Sequence, residues 1–209
     1  MDYLTTDQLY QRQSELHLMQ HRDSIVLVGA GGVGSWFAIF LAMAGGVKHL
    51  HIFDDDTIST HNLNRLPYDA DNIGRLKIDV LKEYIYKIRN DLTIYTYPFK
   101  FNPALITDKP HCIVTTVDTP EGYEKCNQYA KQTNTKIMRL ACSHKSVTAT
   151  TVIPTWNGGD TTTGYEGVQI WVYPTALVAL LGVNALLGAS EIDSIFNPND
   201  LLTFMGKHE

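Results

Sequence analysis

The stretch SIVLVGAGGVGSWFAIFLAMA, residues 24–44, decides the fold of this 209-residue chain. Its β-branched start, 24–28, predicts a strand, and the glycine-rich segment 29–34 predicts a tight turn. The small and apolar residues 35–44 predict a helix. The spacing Gly29-x-Gly31-Gly32-x-Gly34 satisfies G-x-G-x-x-G in its confirming context between strand and helix. Glycines there let backbone N–H groups approach a phosphate at a helix N-terminus, so the sequence predicts a nucleotide site.

The residues that follow extend the alternation of strands and helices. A second strand is predicted over 47–53, and Asp54 at its end lies where a carboxylate can accept hydrogen bonds from ribose hydroxyls. Further strand patterns cover 92–97, 112–117, 136–141 and 147–153, and helix patterns begin at Thr5, Lys77, Pro120 (after the N-cap Thr119) and Thr175. This alternation predicts an α/β fold, a Rossmann-like, mostly parallel sheet with helices on both faces, in a single domain.

Composition limits the class of protein. With 44% hydrophobic and 19% charged residues the chain is typical of globular proteins. A net charge of −5 without Lys/Arg clusters argues against a nucleic-acid partner, and the apolar run 175–189 is too short to cross a membrane. Three cysteines without a CxxC pair, and no signal peptide, predict a cytoplasmic protein. We expect an N-terminal helical segment at 1–22, a nucleotide-binding domain at 23–190 and a C-terminal tail at 191–209.

An amide and two cations follow the nucleotide turn at Asn62, Arg65 and Lys77. Such groups suit a triphosphate, because they stabilise the charge that develops on a departing pyrophosphate. An NAD-dependent oxidoreductase would leave these cations idle and needs a substrate domain for which the chain leaves little room. That class nevertheless remains an alternative at this point.

Five elements in combination resemble one known family. They are Gly29-x-Gly31-Gly32-x-Gly34, Asp54-x-Asp56, Asn62-Leu63-Asn64-Arg65, Gly74-x-x-Lys77 and Asp118 after an apolar strand. From about Tyr10 to Asp118, and more weakly to about Ala189, the chain is similar to the ThiF/MoeB/HesA group of adenylating enzymes, whose fold is shared by the adenylation domains of ubiquitin-activating E1 enzymes.

The resemblance implies ATP-dependent adenylation of the C-terminal glycine carboxylate of a small ubiquitin-like or sulfur-carrier protein, with release of pyrophosphate. By the same comparison, Asp54 would hold the ribose, Asn62, Arg65 and Lys77 the phosphates, and Asp118 a magnesium ion. A carboxylate at the carboxyl end of a parallel strand suits Mg²⁺, although Asp118 could instead cap the helix that begins after Thr119.

The remaining implied site residues lie before and within the nucleotide motif. The glycines Gly29, Gly31, Gly32 and Gly34, together with Asp56, belong to the cofactor-binding set. The segment Tyr10-Gln11-Arg12-Gln13 resembles a family segment whose arginine reaches the ATP phosphates of the other subunit. Arg12 therefore joins Arg65, Lys77 and Asp118 as an expected catalytic residue, and we expect a homodimer.

The chain departs from the family in three ways. It lacks the two CxxC pairs that often bind zinc, so no zinc is expected, and Leu66 replaces a glutamine. It has no room for a catalytic-cysteine domain. Cys142-x-His144 could bring a thiol and an imidazole together for a thioester, but a semi-buried packing thiol is the interpretation we favour. His49-x-His51 is interpreted as one sheet face, not as a metal site.

Other functions stay open on the sequence. A close variant would adenylate a peptide or a tRNA-linked carboxylate. Besides the oxidoreductase, a third class is a catalytically silent subunit, similar to the scaffold half of heterodimeric E1 enzymes. The loop 156–167 would suit a clamp over an extended peptide tail, or it is only a connector.

Overall fold

A computed structural model describes residues 6–16, 22–143, 147–151, 172–188 and 193–196. Its centre is a seven-stranded sheet in the order β3-β2-β1-β4-β5-β6-β7. The strands are β1 Arg22–Val28, β2 Val47–Phe53, β3 Thr93–Tyr97, β4 Cys112–Thr115, β5 Lys136–Cys142, β6 Val147–Thr150 and β7 Asp193–Phe196. The first five are parallel and the last two antiparallel, which confirms the mostly parallel sheet.

Helices cover both faces of this sheet. They are α1 Thr6–Tyr10, α2 Gly32–Ala44, α3 Lys77–Ile88, α4 Pro120–Thr133 and α5 Val172–Leu186. Helices α2, α3 and α5 share one apolar core with the sheet, and α4 packs in a second core on the other face. Alternate strand residues such as Leu27 and Val28 enter opposite cores, as the period of two requires. The α/β fold class is therefore confirmed.

The sheet order fixes where a ligand can bind. Strand β1 pairs with β2 on one side and with β4 on the other, so the chain reverses its direction of winding at β1. Open α/β sheets bind ligands in the crevice at the carboxyl ends of the strands beside such a reversal. The glycine turn after β1 and the loop after β4 both lie at this crevice.

Several element boundaries differ from the sequence prediction. The single helix predicted from Thr5 is a five-residue α-helix continued by a 3-10 helix, Gln11–Leu16. Strand β4 ends at Thr115, before the predicted residue 117, and β6 ends at Thr150. Strand β7 is not predicted at all; it pairs with β6 and lies inside the expected tail 191–209. The domain bounds stay a prediction.

Some predictions fall outside the described residues, namely His144 and the loop 156–167. Among the described residues, none of the helices has the length and apolarity needed to span a membrane.

Candidate active site

The glycine turn is built on close backbone approaches. Gly29 has a φ of +99°, a region that favours glycine, and its N–H donates to the Phe53 carbonyl oxygen over 2.8 Å. A Cβ on Gly34 would lie 2.0 Å from the Gly29 carbonyl oxygen, and one on Gly29 would lie 2.6 Å from Thr116 Oγ1. These two glycines are therefore needed for packing helix α2 against the turn.

Gly31 differs from its neighbours because it faces open space. A Cβ built on it has no heavy atom within 4 Å, and its φ of −72° is ordinary. Gly31 is the N-cap residue of α2, and it makes no side-chain cap to the first turn. Uncapped N–H groups and the helix dipole together favour an anion there, so the open side of Gly31 is where a phosphate can approach.

Asp54 is held beside this turn by two backbone groups. Its Oδ2 accepts from the Ala30 N–H over 2.6 Å and its Oδ1 from the Asp56 N–H over 2.9 Å. Burial raises the pKa of the Asp54 carboxyl above its ordinary value, and the nearby Lys77 charge and the two N–H groups oppose that shift. Each carboxylate oxygen keeps a further lone pair, so Asp54 can still accept from hydroxyls of a ligand.

Lys77 is the first residue of α3, and its side chain is only 9% exposed. Its Nζ donates to Asp56 Oδ2 over 2.5 Å, and its backbone N–H donates to the Asp56 carbonyl oxygen over 3.0 Å. A lysine at a helix N-terminus is opposed by the helix dipole, and a buried ammonium group needs a partner. Asp56 supplies that partner, so Lys77 presents a fixed charge beside Asp54.

Arg65 and Asn62 lie in the loop between β2 and α3 but have different contacts. Atoms Cγ and Cδ of Arg65 lie 3.3 and 3.4 Å from the Cβ position of Gly32, so its aliphatic stem crosses the glycine turn. The Asn62 side chain is buried, and its Oδ1 accepts from the Ser59 N–H and hydroxyl over 3.1 and 3.0 Å. Asn62 therefore shapes the loop, and its contact with phosphate stays a prediction.

Asp118 lies in the exposed loop after β4. The N-cap of α4 is Thr119, whose Oγ1 accepts from the Gly122 N–H over 3.3 Å, as the sequence predicts. In the same loop, Thr116 Oγ1 donates to the Gly29 carbonyl oxygen over 3.0 Å. This bond ties the loop of Asp118 to the glycine turn, and the magnesium role of Asp118 stays a prediction.

Arg12 is not brought together with these residues within the chain. Nearby Tyr10 donates from its hydroxyl to the Ala42 carbonyl oxygen over 2.9 Å, and its ring fills the space beside Gly45. At a rise of about 1.5 Å per residue, Ala42 lies about 15 Å along α2 from Gly32. The segment that carries Arg12 is thus anchored at the end of α2 opposite the glycine turn.

Three contacts of this site involve residues that the sequence analysis missed. Thr116 supports the turn, the Thr175 methyl group of α5 packs 3.0 Å from the Cβ position of Gly32, and Trp36 Nε1 donates to the Arg65 carbonyl oxygen over 2.9 Å. Each joins segments far apart in the chain, and no local pattern signals them. The threonines resemble any other residues of a strand end or an apolar helix.

The histidines of β2 share one sheet face, as predicted. The His51 ring stacks on Tyr95 with centroids 4.6 Å apart, and its Nδ1 lies 3.0 Å from the Tyr97 hydroxyl. Burial, and then the neighbouring His49, lower the pKa of His51. Within the described ranges, no group of three His, Cys, Asp or Glu side chains could hold a metal ion.

Cys142 lies at the end of β5 as a half-buried thiol packed against the apolar core. Burial raises the pKa of this thiol to about 12, although the Arg65 charge opposes the shift. Because the raised pKa keeps the thiol protonated at neutral pH, Cys142 is a poor nucleophile. The contacts support the packing interpretation.

We therefore expect that the adenylation implied by the sequence resemblance stays within about twofold of the unmodified chain in Cys142→Ser. Iodoacetamide should alkylate Cys142 in the folded protein far more slowly at pH 8 than it alkylates free cysteine, with the rate still rising above pH 9. An ATP-dependent, thiol-sensitive adduct that disappears in Cys142→Ser would contradict this prediction.

Comparisons with known proteins agree on one family. The family model described as ThiF family matches residues 10–167. Adenylyltransferase and sulfurtransferase UBA4 of Scheffersomyces stipitis is 35% identical over 101 residues, covering 46% of this chain and 23% of that protein. Ubiquitin-like modifier-activating enzyme 5 of Oryza sativa subsp. japonica is 38% identical over 74 residues, covering 35% and 17%. The chain thus spans about a quarter or less of these relatives.

A solved structure extends the likeness in fold over nearly the whole chain. The crystal structure of E. coli MccB with ATP superposes with a TM-score of 0.71, covering 92% of this chain and 71% of that one, at 15% identity.

Proposed function

Because the chain belongs to the ThiF family, we propose that it is an ATP-dependent adenylyltransferase that activates the C-terminal carboxylate of a small ubiquitin-like or sulfur-carrier protein ending in Gly. The observation that carries this proposal is the open approach to Gly31, bordered by Asp54, Arg65 and the Lys77–Asp56 pair. The names of UBA4 and of ubiquitin-like modifier-activating enzyme 5 support the same reaction.

The residues present fit the ribose and phosphates of a nucleotide. The open Gly31 leaves room for phosphates at the N-terminus of α2, and Asp54 keeps acceptor capacity for ribose hydroxyls. Arg65 and Lys77 would neutralise the phosphate charge, with Asn62 as a further phosphate ligand. Asp118 would hold Mg²⁺, an ion that takes one or two carboxylates together with phosphate and water oxygens.

In the proposed reaction no side chain of the protein forms a covalent bond with the reactants. Bound Mg·ATP supplies the reactive α-phosphorus and pyrophosphate as leaving group. A terminal carboxylate is already ionised at neutral pH, so no side chain has to act as a general base. The chain's own contribution is to orient the two reactants and to stabilise developing charge with Arg65 and Lys77.

ATP–pyrophosphate exchange tests the proposal. Small ubiquitin-like proteins ending in Gly-Gly should be screened with Mg·ATP, each beside a matched version that lacks the last Gly. We expect exchange only with an intact tail. Exchange that is independent of any protein tail, or that needs a free peptide or a tRNA-linked carboxylate, would redirect the substrate assignment.

We further propose a homodimer in which Arg12 acts in the partner's site, since Tyr10, two residues before it, is bonded to Ala42 near the end of α2 opposite the glycine turn. Mixing inactive Arg12→Ala with inactive Arg65→Ala should restore partial exchange activity, because one of the two sites in a mixed dimer holds both arginines. Failure to recover activity, despite demonstrated subunit exchange, would contradict a role of Arg12 across the interface.

We propose a cytoplasmic location, because a chain with three cysteines and no CxxC pair suits a reducing compartment.

A further inference from the structure

Trp36 makes a side-chain contact with the loop that carries Arg65. It lies near the start of α2, where its indole N–H donates to the Arg65 carbonyl oxygen over 2.9 Å. Its ring stacks on Phe40, with centroids 5.5 Å apart. Indole has a single N–H donor and no acceptor, so this bond uses the whole hydrogen-bonding capacity of the side chain.

The bond restrains the residue that crosses the glycine turn. The Arg65 backbone is held at its carbonyl by Trp36 and at its N–H by the Asn62 carbonyl oxygen over 3.1 Å. The Arg65 stem lies against Gly32, and its Nη1 donates to the His61 carbonyl oxygen over 2.7 Å. Ordering a long arginine side chain costs conformational entropy, and these contacts restrain the stem and Nη1 of Arg65 before a ligand binds.

We propose that Trp36 is a positioning residue that holds Arg65 over the glycine turn, ready for an anionic phosphate group. The identity of the ligand as Mg·ATP rests on the proposed function; the anchoring of Arg65 does not. The residue before Trp36 is Ser35, which accepts a second hydrogen bond from the same loop.

This second hydrogen bond, between Tyr68 and Ser35, provides a matched control. Tyr68 follows Arg65 in the loop, and its hydroxyl donates to Ser35 Oγ over 3.1 Å in a buried position. Both hydrogen bonds link the loop to adjacent residues of α2, but only the bond of Trp36 ends on Arg65. A general loss of loop stability should therefore appear in both variants, whereas a loss of Arg65 positioning should appear only in the Trp36 variant.

The test is a double-mutant cycle on Mg·ATP affinity, measured by calorimetry on the full chain. Trp36→Phe, which keeps a ring beside Phe40 but removes the N–H, should weaken Mg·ATP binding about fivefold, the effect of one neutral hydrogen bond. In an Arg65→Ala background the same change should weaken binding less than about twofold, because the backbone bond remains but the guanidinium group that it positions is gone. Tyr68→Phe should have equal effects in both backgrounds. Equal effects of Trp36→Phe in both backgrounds would overturn the proposal.

Hydrogen exchange without nucleotide provides a readout that is independent of the reaction. Trp36→Phe should speed amide exchange in residues 60–66 at least threefold more than Tyr68→Phe does. Unchanged exchange in 60–66 would overturn the proposal. If the unmodified chain bound no Mg·ATP, the proposed function would fail, and faster exchange in 60–66 would still support the anchoring of Arg65.

Discussion

Asp118→Asn and Lys77→Met are each expected to reduce ATP–pyrophosphate exchange by roughly 10²–10³-fold, the usual effect of removing one group that stabilises developing charge. Asp118→Asn keeps the shape of an exposed side chain and removes only the charge proposed for Mg²⁺. Lys77→Met keeps most of a buried aliphatic stem and removes the ammonium group that lies 2.5 Å from Asp56. Exchange rates at saturating Mg·ATP and carrier measure both effects.

Two matched controls separate a site role from general loss of charge. Glu121→Gln removes a carboxylate three residues after Asp118, in the first turn of α4. Arg75→Met removes a cation two residues before Lys77, one that forms an exposed ion pair with Glu83. Exposed pairs contribute little, so both controls should keep near-normal exchange. Equal losses in controls and site variants, or normal exchange in Asp118→Asn and Lys77→Met, would contradict the site assignment.

Alanine at two glycines of the same turn should have opposite consequences. Gly34→Ala would place Cβ 2.0 Å from the backbone carbonyl oxygen of Gly29, so we expect a loss of at least about 3 kcal/mol in the free energy of unfolding. Gly31→Ala meets no protein atom within 4 Å and should change stability by less than about 1 kcal/mol. The added methyl group should nevertheless obstruct the approach of phosphate and abolish Mg·ATP binding.

Urea denaturation and calorimetric titration of the two variants check this pair of effects. Normal Mg·ATP affinity in a stable Gly31→Ala protein would contradict an approach of the nucleotide from the open side of the turn. Normal stability in Gly34→Ala would contradict the close packing of the turn against α2.

The parts of the fold that sequence predicts well are those set by local pattern. Strand β2 and the start of α3 are predicted to the residue. Apolar residues that alternate with polar ones and end at three carboxylates mark β2, and apolar residues at helical spacing mark α3. The prediction of one helix from Thr5 is only partly correct, because a 3-10 helix follows the short α-helix and no local pattern signals the docking of Tyr10 beside Gly45. Strand β7 depends on its pairing with β6, which no short pattern encodes.

The residues of the candidate site also fall into two groups, those that a local motif predicts and those that depend on distant contacts. Asp54 and the glycines are predictable because the motif spacing reflects a geometry shared by many nucleotide sites. Trp36 and Thr116 are not, since their partners Arg65 and Gly29 lie 29 and 87 positions away in the sequence. The phosphate role of Asn62 illustrates a different limit, because a motif residue also serves the loop that carries it.

Calorimetric titration of the chain with Mg·ATP and, separately, with NAD tests the central claim most directly. The fixed cations Arg65 and Lys77 beside an open helix N-terminus predict saturable binding of Mg·ATP and no detectable binding of NAD. Arg65→Ala should weaken the Mg·ATP signal, which would place the nucleotide at the glycine turn. Tight binding of NAD without binding of Mg·ATP would contradict the adenylyltransferase and favour an oxidoreductase.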